Sequence, residues 1–171
     1  LGLLPALDRE PGQGLAQQAA SLVHNDRLGY RDAWVRLAID PKSPCVFTRG
    51  STGVPLAVPS RHGEGKLVFA DPELRARVSA EHLVPVRYVD AEGRPTEAWP
   101  DNPSGTAGGW AGLCDATGRV FGLMPHPEAY LYPQSHPRWI AQADQGRLPA
   151  AGHGLGILVN GVRAALEPPR S

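Results

Sequence analysis

The stretch WAGLCDATGRVFGLMPHPE, residues 110–128, sets two short apolar runs, Trp110 to Cys114 and Val120 to Met124, on either side of Asp115-Ala116-Thr117-Gly118. Asp and Gly between strand-sized runs are hairpin-turn chemistry, so the two runs are expected to pair antiparallel. Two prolines then flank His126. They disfavour helix, and an extended backbone would point His126 and Glu128, two residues apart, the same way. A carboxylate beside an imidazole fixes its tautomer and stabilises its protonated form, as proton transfer for a thiol or hydroxyl nucleophile requires. Spacing alone favours the plainer reading, a loop histidine near a surface glutamate, because so short a motif recurs by chance.

Working outward, further strand signals are Trp34 to Ile39, Cys45 to Thr48, Val54 to Val58, Leu67 to Phe69 and Leu83 to Val89, each bounded by Pro, Gly, Asp or Asn. Residues 13–24 carry a weak helical spacing, with Asn25-Asp26 as a stop. Leu155, Leu158, Val159, Val162 and Leu166 follow i, i+3, i+4, i+7, i+11 and predict a helix that ends before Pro168-Pro169, leaving 168–171 as a tail. The loop from Trp99 to Gly109, rich in Pro, Gly, Asn and Ser, reads as an ordered loop anchored by Trp99.

At 171 residues the chain is one domain with a real core. Its 20 glycines and 18 prolines show no collagen period and imply many turns. Seventeen basic residues balance seventeen acidic ones without a Lys/Arg cluster, which argues against a nucleic-acid partner. The apolar runs are too short to span a bilayer, and a soluble, cytoplasmic protein is expected. Cys45 and Cys114 are too few for a disulfide framework and lack CxxC spacing. The opening Leu1-Gly2-Leu3-Leu4-Pro5 reads as a helix end entering a loop, so a fragment or processed chain is expected.

A second candidate for chemistry is Arg61-His62-Gly63-Glu64-Gly65, where two glycines let a ligand or another backbone approach the main chain. A Gly-rich strand connection without a ligand explains it equally well.

Taken in order, HGEG at 62–65, RYVD at 87–90, NPSG at 102–105 and GLMPHPE at 122–128, with His136-Pro137 and Asn160-Gly161-Val162-Arg163 beyond them, resemble class I glutamine amidotransferases, specifically the glutaminase part of phosphoribosylformylglycinamidine synthase. The resemblance implies an α/β fold of which this chain is the strand-rich C-terminal half, a mixed sheet with a C-terminal packing helix. It also implies hydrolysis of the glutamine side-chain amide through a thioester, with ammonia passed to a synthetase partner in purine biosynthesis. On matching positions His126 is the histidine that moves protons and Glu128 the carboxylate that orients it. Arg61, His62, Gly63 and Glu64 match the strand-loop at bound glutamine. No cofactor is implied for this chain, ATP and Mg belonging to the synthetase.

The family's nucleophile sits in a Gly-x-Cys-x-Gly elbow, and no such segment occurs here. Cys45 follows a proline and lacks flanking glycines, which reads as a core thiol. Cys114 falls at the turn end of the hairpin, five or so residues from the level of His126, about 16 Å at about 3.3 Å per residue. The nucleophile is therefore expected from outside this sequence, and the chain alone is expected to be inactive. One alternative is a non-catalytic module that keeps a synthetase-binding surface. Another makes His62, Glu64, His126, Glu128 and His136 metal ligands, although their spacing matches no zinc pattern.

Overall fold

A computed structural model describes residues 19–51, 53 and 55–167. Among these residues there are seven strands, β1 (Ala20–Val23), β2 (Arg31–Ile39), β3 (Leu56–His62), β4 (Lys66–Phe69), β5 (Val86–Val89), β6 (Gly112–Cys114) and β7 (Phe121–Leu123). The same described residues hold three α-helices, α1 (Pro72–Ala80), α2 (Trp139–Asp144) and α3 (His153–Leu166). Every strand pair among the described residues is antiparallel. The architecture is the expected strand-rich α/β fold with a C-terminal helix packed on it, without a parallel pair in this part.

The central sheet has the order β3-β2-β5. Its register puts Val35 opposite Val58, and Leu37 opposite both Leu56 and Tyr88. These side chains share one face and, with Val86 and Ala111, form the buried core. The predicted hairpin forms, pairing Cys114 with Phe121 and Gly112 with Leu123. It joins the central sheet where the Ala111 N–H donates to Val86 O at 3.1 Å. Past β7 the chain returns to the other edge, where the His126 N–H donates to Pro59 O of β3 at 2.7 Å. The sheet thus curls around its own core, and that closure carries the histidine segment to β3.

A smaller core lies between the β1–β4 ladder, α1 and β6, built on Ala20, Leu67, Val84, Trp110 and Leu113. The Trp110 ring meets Phe69 edge-on, and the Arg75 and Arg87 guanidinium groups lie over it at 4.7 and 5.5 Å.

Several expectations need correction. Ala20–Val23 is a strand, not the end of a helix over 13–24; the remainder of that segment lies outside the described residues. Pairing with β4 supplies backbone partners that an isolated short helix lacks. Cys45 to Thr48 is a 3-10 turn over Val46–Thr48 instead of a strand, its Val46 N–H bonded to Gly118 O in the hairpin turn at 3.0 Å. Val54, where another strand was expected to begin, and the 168–171 tail lie outside the described residues.

Helix α3 forms where predicted but faces the other way. Gly154, Ile157 and Ala164 are buried, whereas Leu155, Leu158, Val162 and Leu166 of the apolar stripe are exposed. The inward face is held by close approach. A Cβ on Gly154 would stand 1.7 Å from Pro127 O, and Asn160 Nδ2 donates to Phe47 O at 3.1 Å and Arg49 O at 2.7 Å.

Candidate active site

His126 and Glu128 are brought together, with Nδ1 and Oε1 2.7 Å apart. The reason differs from the one expected. Pro127–Ala129 form a 3-10 turn led by His126, not an extended run, and the Tyr130 N–H closes the turn on Pro127 O at 3.0 Å. Proline at the first position of a helical turn has no N–H to waste and a φ that suits it, which is why the segment curls. The turn is buttressed from behind by α3, whose Gly154 N–H donates to Tyr130 O at 3.0 Å. Tyr130 is buried, with its ring on Trp34 at 5.0 Å and on His153 at 5.4 Å. Both side chains of the pair remain open to solvent, His126 at 37% and Glu128 at 59%. With Nδ1 given to the carboxylate, Nε2 is the nitrogen left for chemistry.

The Arg61–Gly65 segment is the end of β3 and its turn into β4. Strand alternation separates its side chains. Arg61 points outward to Asp32 at 3.4 Å, while His62 turns in, where burial and the nearby His126 imidazole both hold its pKa below the ordinary value. Glu64 is exposed, 3.5 Å from His24 Nδ1. The backbone groups of the turn are largely engaged by Asn25, whose N–H donates to Gly63 O and whose side-chain amide bonds His62 O and the Gly65 N–H. The N–H groups of Gly63 and Glu64 lie outside these bonds. Asn25, read from sequence as a helix stop, was missed as part of the site, because its contacts exist only once β1 pairs with β4.

Neither cysteine is placed for attack. Cys45 and Cys114 are buried beside each other, Ser43 Oγ lying 3.7 Å from Cys114 Sγ. The hydrogen bond between the thiols, with burial, pushes the Cys114 thiol up. The hairpin register pairs Cys114 with Phe121 at the turn end, whereas His126 lies past the other end of the ladder, after Leu123.

The five residues weighed as metal ligands do not converge. His62 is tied to Asn25, His136 meets Trp34 edge-on at 4.6 Å, and among the described residues no three His, Cys, Asp or Glu side chains form a metal-binding group. Among the same residues no helix is long and apolar enough to cross a membrane. Beside Met124, two residues before His126, an apolar cavity of about 140 Å³ is lined by Leu22, Leu67, Trp110, Leu113 and Leu123.

The chain is 38% identical over 157 residues to the phosphoribosylformylglycinamidine synthase subunit PurQ of Dehalococcoides mccartyi, covering 92% of this chain and 57% of that protein. It is 39% identical over 128 residues to human phosphoribosylformylglycinamidine synthase, covering 75% of this chain but 10% of the human protein. A chain in the structure of PurLQS from Thermotoga maritima superposes with a TM-score of 0.56 at 23% identity, over 89% of this chain and 55% of the other, and shares its fold. The chain thus spans about half of its subunit-sized relatives, and far less of the human protein. The model of the CobB/CobQ-like glutamine amidotransferase domain matches residues 1–163, so the chain belongs to that family.

Proposed function

We propose that this chain carries the proton-transfer half of a glutaminase site, releasing ammonia from the glutamine side-chain amide for phosphoribosylformylglycinamidine synthesis. The supporting observation is the 2.7 Å contact between His126 Nδ1 and Glu128 Oε1, in a turn whose His126 N–H closes onto β3. Glu128 holds the imidazole so that Nε2 takes the proton of a thiol nucleophile and later returns one to the departing ammonia. Gly63 and Glu64 offer main-chain N–H groups to the substrate, with Arg61 and His62 framing the turn. The buried pair Cys45 and Cys114 fails the access a nucleophile needs, so the attacking thiolate comes from outside these 171 residues. A synthetase component, which would hold the ATP and Mg, receives the ammonia.

Glutamine hydrolysis by the complete gene product tests this reading. Activity abolished by a thiol-alkylating reagent is the expected result. No hydrolysis, with or without the synthetase, would assign the chain to a non-catalytic, partner-binding role.

A further inference from the structure

The Arg61–Gly65 turn does not hold itself. On one side Asn25, 3% exposed, makes four contacts with it. Its N–H donates to Gly63 O at 2.9 Å and its Nδ2 to His62 O at 2.9 Å. Its Oδ1 accepts from the Gly65 N–H at 3.0 Å and lies 3.0 Å from His62 Nδ1. An amide oxygen only accepts, so Nδ1 carries the proton and Nε2 is the bare nitrogen, buried without a partner.

On the other side Thr106, 2% exposed, accepts from the Leu67 N–H at 3.0 Å through Oγ1, which in turn lies 3.5 Å from Gly65 O. The Gly65 N–H is therefore held by Asn25 and the Leu67 N–H by Thr106, buried side chains from distant parts of the chain. The Gly itself is required, because a Cβ there would stand 2.2 Å from the His62 ring.

The clamp is stiffened by the loop whose NPSG sequence has no other evident task. Asn102 Nδ2 donates to Thr106 O at 2.9 Å, and its Oδ1 accepts from Ser104 Oγ at 2.9 Å and the Gly105 N–H at 3.0 Å. Ser104 Oγ lies 2.9 Å from Thr106 Oγ1, and the Asp26 N–H reaches Ser104 O at 3.3 Å. Burying four polar side chains is costly unless each is satisfied, and a satisfied network of this kind rigidifies what it touches. What it touches is the turn that the proposed function places at the substrate.

We propose that Asn25 and Thr106 are positioning residues that hold the 61–64 turn in its glutamine-binding shape. The inference rests on the glutaminase reading, and the test separates the two. Steady-state glutamine hydrolysis is measured for the complete gene product with its synthetase, as wild type and as Asn25→Ala, Asn25→Asp, Thr106→Val and Thr106→Ser, each with a thermal melt. Expected are a rise in glutamine KM of about 10-fold for Asn25→Ala, with kcat within about 3-fold, a smaller rise for Thr106→Val, and near wild-type values for Thr106→Ser. If Asn25→Ala does not fold, Asn25→Asp, which keeps the acceptor and loses the donor to His62 O, carries the same expected rise. An unchanged KM in the folded Asn25 and Thr106→Val proteins overturns the inference and leaves the glutaminase reading standing. An inactive wild type overturns that reading and the inference with it.

Discussion

His126 and Glu128 meet because a proline between them starts a helical turn, so the pairing is a property of three consecutive residues rather than of the whole fold. Exposure of 59% leaves the Glu128 carboxylate in water, where its hold on the imidazole is orientation more than charge. Glu128→Gln keeps an oxygen acceptor at that position. It is therefore expected to lower kcat for glutamine hydrolysis by less than the roughly 10²-fold that general acid–base catalysis commonly supplies, with glutamine KM unchanged. A loss as large as that of removing the imidazole would mean the charge itself is needed. At this scale the sequence was legible for the pair and opaque for its neighbours. Neighbouring prolines announce a special backbone, but no local pattern connects Asn25 to Gly65, whose contact exists only after β1 and β4 pair.

Helix α3 shows why an element can be read correctly and oriented wrongly. Its apolar period was plain, yet the helix packs on the Val46–Thr48 and Pro127–Ala129 turns, and at Gly154 the main chain of Pro127 comes too close for any side chain. Of its buried residues, Gly154 and Ala164 carry less hydrophobic signal than the leucines opposite. Gly154→Ala raises helix propensity by about 1 kcal/mol in an open helix. Here the added methyl meets Pro127 O, so a net destabilisation of about 1–3 kcal/mol is expected, as for other overpacked sites. Val162→Ser, on the stripe that sequence reading would bury, is expected to change stability by no more than about 0.5 kcal/mol. Chemical denaturation of both variants decides it, and the reverse order of effects would restore the sequence-based orientation. Helix α1 escaped notice for a different reason. Asp71 caps it, accepting from the Glu73 N–H at 2.8 Å, and Pro72 starts it, but it buries no side chain fully and so has no apolar period to read.

Across the whole molecule, burial lowers the pKa of three histidines, His62, His136 and His153, below their ordinary 6.5. His153 Nδ1 accepts the Ala57 N–H at 2.9 Å and must be bare to do so. As pH falls below 6.5 the unfolded chain takes up protons that the native state refuses, so stability present above that value is lost as pH descends toward the folded pKa values. A melting temperature lower at about pH 5 than at about pH 7.5 is expected, with a shallower dependence in His153→Gln; a flat profile would contradict the buried, neutral state. The central claim concerns a smaller part of the molecule, the imidazole at residue 126, and its most direct test is His126→Ala in the complete gene product with its synthetase. Synthesis of phosphoribosylformylglycinamidine is followed with glutamine and, separately, with added ammonia. Loss of the glutamine-dependent reaction with the ammonia-dependent one intact is the predicted result; loss of both, or of neither, would contradict it.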